Sequence, residues 1–175
     1  MAKQTQNIAY VPGLNLPTRK VKGLIKLFGG LSVPFYTVET VMAEGTPLKP
    51  AATPHTMEVP LNGEGAKVIG LALQETYDES SFGQLKGYYF TNDTRQRLDR
   101  YPVGVLCGAG YGMTNNYAGE VEWGDQAYLA IDAANKFTGK MTATASENNK
   151  IPVVFEGIGK DGDKLVRIRF DFPLA

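Results

Sequence analysis

Short apolar segments with turn residues between them dominate this chain from Ser32 to its end. The segments are rich in β-branched and aromatic residues, which favour the pleated surface of a sheet. We predict strands at 35–42, 66–74, 85–90, 102–107, 126–131, 137–145, 151–158 and 165–172. Because no helical pattern of about 10–15 residues separates them, a parallel α/β fold is disfavoured. The sequence predicts a mainly β protein, an antiparallel β-barrel or a jelly-roll-like sandwich.

The composition agrees with short strands and many turns. The chain has 20 glycines and 10 prolines in 175 residues, which exceeds their usual combined share of about 12%. Four of the prolines lie in 46–60, which we expect to be a loop or an edge segment. We assign 32–175 to one β domain. A faint internal repetition leaves a second interpretation open, in which 32–100 and 101–175 are related β-modules.

The amino-terminal residues follow a different pattern. Residues 1–17 have no apolar period and contain two prolines, so we expect an extended arm. The spacing of Val21, Leu24, Ile25 and Phe28 predicts a short amphipathic helix. Thr18 would cap this helix, and the glycine pair that follows Phe28 would end it. We therefore assign 1–31 to a basic arm with one short helix, and we predict a second short helix at 92–100.

Charge is distributed unevenly, although the formal net charge of the chain is zero. Residues 1–38 carry five basic residues and no acid, so the other residues must sum to −5. A basic segment can dock on an acidic partner, on nucleic acid or on a neighbouring copy of an acidic body. The basic charges are too sparse for a strong nucleic-acid site. The predicted partner-binding residues are Arg19, Lys20, Lys22 and Lys26.

Several classes of protein are disfavoured by the same sequence. No apolar stretch approaches the ~18 residues of a transmembrane helix, and the amino end has no apolar signal core, so we expect neither membrane insertion nor secretion. Cys107 is the single cysteine and His55 the single histidine, which excludes an internal disulfide and a site with several histidines. We expect no metal or cofactor, and a reduced compartment.

Nucleophilic catalysis finds little support. The chain has no Gly-x-Ser-x-Gly elbow, and His55 has no acid near it in sequence to orient it. Cys107 ends an apolar segment, so we predict a buried, inert thiol. The glycines at 104, 108, 110 and 112 miss the third glycine of a nucleotide-binding fingerprint, and we interpret 108–112 as a glycine-rich turn. We also expect Asp161-Gly162 to form a hairpin turn.

One acidic group suggests a mechanism. Glu120 and Glu122 lie at i and i+2, on one face of a strand, and Asp125 follows. Retaining glycosidases need two carboxyl groups about 5–5.5 Å apart, which such neighbours can approach. The group resembles the Glu-x-Asp-x-x-Glu signature of laminarinase-like hydrolases, with the acids exchanged, and Trp123 could stack on a sugar. We interpret it as an outward acidic face that ends in a turn.

The last third of the chain resembles a known family. Gly-Asp-Gln-Ala-Tyr-Leu (124–129) is followed by a turn at 135–138 and a Thr-rich strand at 142–144. Asn-Lys-Ile-Pro-Val-Val-Phe-Glu (149–156) and Gly-Asp-Lys-Leu-Val-Arg-Ile-Arg (162–169) come next. This succession is similar to small β-barrel capsid decoration, or cement, proteins of tailed bacteriophages. Pro152 stands where that family usually has a glycine. The resemblance covers about 50 residues and leaves 1–60 without a counterpart.

The resemblance implies a non-enzymatic virion protein that is made in the host cytoplasm. It would bind the major capsid protein on the outside of an assembled head and associate with itself, often as a trimer. It implies no membrane and no specific nucleic acid as partner. Two alternatives stay open: a tail, baseplate or head-fibre structural protein, and a carbohydrate-binding or glycosidase jelly roll that uses Trp123.

Overall fold

The computed structural model describes residues 23–37, 42–73 and 101–173. These residues form strands and two short 3₁₀ turns, at Gly65–Lys67 and Glu147–Asn149, and no α-helix lies in the described ranges. The mainly β class is therefore confirmed. The strands are β1 (Leu24–Thr37), β2 (Pro47–Pro50), β3 (Thr56–Glu58), β4 (Gly70–Ala72), β5 (Tyr101–Thr114), β6 (Tyr117–Ala118), β7 (Glu120–Val121), β8 (Gln126–Ile131), β9 (Phe137–Thr142), β10 (Lys150–Phe155), β11 (Gly159–Lys160) and β12 (Val166–Asp171).

Strand β5 organises the main sheet. One of its edges pairs with β1 along the full length of both strands. Its other edge pairs first with β4 and then with β12, so two sets of strands diverge from it. The ten-stranded order is β1-β3-β2-β4-β5-β12-β10-β8-β9-β6, and the β1–β5 pairing closes the first five into a ring. Most pairs are antiparallel as expected, but β1–β3 and β6–β9 are parallel, so the sheet is mixed.

Two clusters of buried side chains lie on this framework. The smaller cluster belongs to β2, β3, β4 and the first half of β5, and it includes Leu48, Met57, Val105 and Cys107. The larger one is built mostly by strands β6 to β12 around Tyr117, Phe155 and Phe170. The prediction of a buried thiol is confirmed, and burial raises the pKa of Cys107. Both clusters include residues of β5, so this strand is one of the places where the halves at 32–100 and 101–175 are in contact.

The helix predicted from Val21 to Phe28 is wrong from Leu24 onward. There the chain is strand β1, which pairs with β5 from Leu24 to Thr37 and runs through the expected boundary at 31. A helix of about ten residues is marginal by itself, and the pairing with a fourteen-residue strand outweighs a weak helical period. Gly29 and Gly30 take positive φ at a bulge inside the strand and do not end an element.

The glycine-rich turn predicted at 108–112 is also wrong, because β5 continues through it to Thr114. Gly110 has a packing role: a Cβ atom there would lie 2.8 Å from the carbonyl carbon of Gly29. The missing side chain lets β1 and β5 approach at the bulge. Gly110 thus allows close contact between two strands, a role that a local sequence pattern does not distinguish from that of a turn glycine.

The remaining elements follow the sequence to different degrees. The strand at 126–131 is confirmed as β8, and those at 137–145, 151–158 and 165–172 correspond to shorter strands β9, β10 and β12. The segment at 46–60 contains β2 and β3, so it is more regular than expected. A turn forms at Asp161-Gly162, but β11 before it pairs with β7 and not with β12. The arm at 1–17, the strand at 85–90 and the helix at 92–100 lie outside the described residues.

Candidate docking surfaces

Strand β1 exposes several large apolar side chains along its length. The exposed fractions are 50% for Leu27, 74% for Phe28, 55% for Leu31 and 50% for Tyr36. We call these four residues the β1 apolar surface. Within the described ranges they are more than half of the large hydrophobic residues that are exposed. Concentrated exposure of this kind marks protein–protein contacts more often than single exposed residues do.

The backbone of β1 is also open along one edge. At Tyr36 and Thr37 that edge pairs with β3, and the amide of Tyr36 donates to the carbonyl of His55. From Leu24 to Phe35 no strand of the described ranges pairs with it. Open edges accept a further strand unless charges, prolines or bulges blunt them. Pro34 and the glycine bulge limit pairing here, while Lys26 is the sole charge in the strand.

The predicted basic residues are placed only in part. Lys26 lies in β1 with an exposed side chain, and its Nζ donates to the carbonyl of Gly30 at 2.9 Å. Arg19, Lys20 and Lys22 lie outside the described residues. The chain enters the described body at Gly23, whose carbonyl accepts hydrogen bonds from the Thr114 hydroxyl and the Asn115 amide. Lys26 therefore presents positive charge next to the β1 apolar surface.

The two glutamates of the acidic group at 120–125 are exposed, as the sequence predicts, and Asp125 is half-buried. Val121 is buried between Glu120 and Glu122, so both carboxylates point outward from β7. Glu120 forms an ion pair with Lys160 at 2.9 Å, and the carboxylate of Asp125 accepts the amide of Glu122 at 2.8 Å. These contacts assign Glu120 to a surface ion pair and Asp125 to a turn. Trp123 in this turn is 68% exposed.

A shallow groove of about 410 Å³ crosses the outer face of β5, β12, β10 and β8. Arg169 pairs in register with Tyr111 on one side and with Val154 on the other. The guanidinium of Arg167 lies 4.6 Å from the Tyr111 ring centroid, and its Nε lies 2.9 Å from a carboxylate oxygen of Glu156. The charged side chains of this face, Arg167, Arg169 and Glu156, therefore lie close to one another as ion pairs. Sequence patterns did not indicate this groove.

His55 lies in an exposed loop with a φ of +57°.

No group of three or more His, Cys, Asp and Glu residues in the described part of the chain is arranged to hold a metal ion. In the same ranges, no helix has the length and hydropathy to cross a membrane.

A partly buried ionic network makes the stability of the body depend on pH. Glu64 forms ion pairs with Lys67 at 2.8 Å and with Lys49 at 2.9 Å, and it accepts the amide of Leu61. The Lys67 contact first, then the Leu61 amide and Lys49, lower the pKa of Glu64 to about 2. The pairing with Glu58, and then with Glu64, raises the pKa of Lys49.

Glu64→Gln is expected to make the free energy of unfolding less dependent on pH in the acid range. A carboxyl with a lowered pKa stabilises the fold above its ordinary value of 4.5, and this contribution disappears as the pH falls toward about 2. Urea titrations between pH 4.5 and about 2 should show that the free energy of unfolding falls less in the variant than in the unmodified chain. At neutral pH the variant should be about 1 kcal/mol less stable. Glu147→Gln, at an exposed site, is the control. The same acid pH dependence of stability in the unmodified chain, in Glu64→Gln and in Glu147→Gln would contradict this role of Glu64.

Comparison with known proteins gives no assignment. No model of a known protein family matches this chain, and no curated protein is significantly similar to it.

Proposed function

We propose that this chain is a non-enzymatic structural protein of a phage virion, a capsid decoration protein that binds the outside of an assembled head. The β1 apolar surface carries the proposal, because a sheet that exposes Phe28 and Leu31 beside an open edge is suited to a protein partner. The major capsid protein is the proposed partner. The strands that carry the family resemblance, β8, β9, β10 and β12, support it as consecutive members of one sheet.

In this function the β domain is a rigid β-barrel and β1 is its contact strand. Lys26 adds a positive charge beside the apolar side chains, and the arm that the sequence predicts at 1–17 is proposed as a second contact. An extended segment of 17 residues spans up to about 55 Å, which is enough to reach a neighbouring subunit of a shell. The arm gains affinity by adding main-chain hydrogen bonds along an open sheet edge of its partner.

Binding to heads tests the proposal directly. Heads produced from a phage genome that lacks this gene are mixed with the purified chain and sedimented, and the chain is expected to sediment with them. The double variant Phe28→Ser, Leu31→Ser should bind at least about tenfold more weakly, because apolar anchors of an interface supply most of its affinity.

Leu61→Ser is the matched control, since Leu61 is 67% exposed but lies outside β1. The control should bind as the unmodified chain does. Failure of the unmodified chain to sediment with heads would overturn the proposal, as would equal binding by the double variant and the control. Sedimentation with purified tails in place of heads would favour a tail or baseplate protein.

A further inference from the structure

The small sheet of β7 and β11 carries a second group of exposed apolar side chains, at residues other than those of the β1 apolar surface. We define the β7–β11 tip as residues 119–125 and 157–164. Val121 pairs with Gly159, which places Glu122 and Ile158 next in register at the open end of the sheet. Trp123 and Ile158 are each 68% exposed. A large aromatic and a branched aliphatic side chain thus lie at one exposed end, while Val121 packs into the core.

This apolar pair is surrounded by negative charge. The tip contains five acids and two lysines, a net charge of −3. Lys160 is paired with Glu120, and Asp161 accepts the amide of Gly119 at 2.7 Å. The carboxylate of Glu122, beside Trp123, has no cationic partner among the described residues. The tip is therefore suited to a partner that combines positive charge with aliphatic surface.

The chain itself contains a segment with that chemistry. Residues 18–26 include Arg19, Lys20, Lys22 and Lys26 and no acid, a charge of +4. Lysine and arginine carry long aliphatic stems that cover apolar surface, and their charged ends are attracted to the face of a tryptophan ring. Because the formal net charge of the chain is zero, two copies approach without net repulsion.

We propose that the β7–β11 tip of one copy binds the basic segment 18–26 of a second copy. Trp123 is the anchor of this contact, and Glu122 supplies the unpaired charge that selects a basic partner. The contact joins two different surfaces, so repetition of it closes a ring of copies or extends as a chain. This inference goes beyond the proposed function, because the partner is another copy and not the shell.

Self-association of the purified full-length chain tests the inference. Sedimentation velocity over a dilution series should show concentration-dependent association at about 0.1 M salt that weakens at about 1 M, where exposed charges are screened. Trp123 is the single tryptophan, so its fluorescence reports on the tip alone. Its emission should shift to shorter wavelength as copies associate and the ring leaves water.

Charge-reversal variants identify the two surfaces. Glu122→Lys and Lys20→Glu should each weaken association by about tenfold or more. The two changes together in one chain should restore most of the affinity, because the charges are exchanged and not lost. Glu147→Lys, the same change at an exposed acid outside the tip, should leave association nearly unchanged.

The inference is overturned if the chain stays monomeric throughout, or if Glu122→Lys and Glu147→Lys weaken association equally. It is also overturned if the Trp123 emission of the full chain is independent of concentration but changes when residues 1–22 are removed. That result would place the basic segment on its own subunit. No head is present in these measurements, so they can fail or succeed independently of the proposed function.

Discussion

Phe155→Ala is expected to lower the free energy of unfolding by about 3–5 kcal/mol, the largest effect of any single substitution considered for this protein. Phe155 is fully buried in the larger cluster, and its ring meets that of Tyr117 edge to face at 6.0 Å between centroids. Truncation removes the transfer free energy of the ring and the aromatic contact, and it leaves a cavity that the strands around it fill only in part.

Phe28→Ala makes the same chemical change on the surface. Phe28 is 74% exposed, so its truncation should change stability by no more than about 0.5 kcal/mol. Urea unfolding monitored by far-UV circular dichroism measures both values. A comparable decrease in the free energy of unfolding for Phe155→Ala and Phe28→Ala would show that the larger cluster is not the stabilising core of the molecule.

The Phe155→Ala experiment also tests the coupling between the two halves. Strand β5 carries Leu106 into the larger cluster and Val105 into the smaller one. Because neighbouring residues of one strand serve both clusters, we expect a single cooperative transition that moves as a whole to lower denaturant. Two separate transitions in the variant would indicate that the halves unfold independently.

Gly65→Ala is expected to destabilise the protein by about 2–3 kcal/mol, although it adds a single methyl group. Gly65 is buried against the backbone of Asn149 and Lys150, and its absent side chain leaves room for both. The same junction is held by the Gly63 amide, which donates to the Asn149 side chain at 2.7 Å. A backbone contact cannot relax as the end of a flexible side chain can, so the methyl group must separate the two segments.

Gly104→Ala is the matched control for this prediction. A Cβ atom there would meet its nearest neighbour, Leu73, at 3.5 Å, which is ordinary van der Waals contact. We expect less than about 1 kcal/mol of change at this position. Thermal unfolding of both variants gives the comparison, and equal melting temperatures would contradict the role assigned to Gly65.

The candidate surfaces were predictable from sequence to different degrees. The alternation of Glu120, Val121 and Glu122 indicated an outward acidic face, because alternation by itself determines which side chains of a strand share a face. The β1 apolar surface was missed, since the spacing of Leu24, Ile25 and Phe28 fits a helix. The lack of acids from Leu24 to Thr37 was a usable signal, because a solvated amphipathic helix normally carries both signs of charge.

The sequence alone determined the mainly β class, the positions of β8, β9, β10 and β12, and the burial of Cys107. These properties depend on alternation, β-branched content and turn residues, which act within a few positions of one another. Only the tertiary structure decided that residues 24–34 belong to a strand, that Gly110 is a point of close approach and that β5 contributes to two clusters. Each of these features follows from pairing between segments that are far apart in the chain. The free energy of such pairing does not depend on a periodic pattern within either segment, so neither segment alone predicts it.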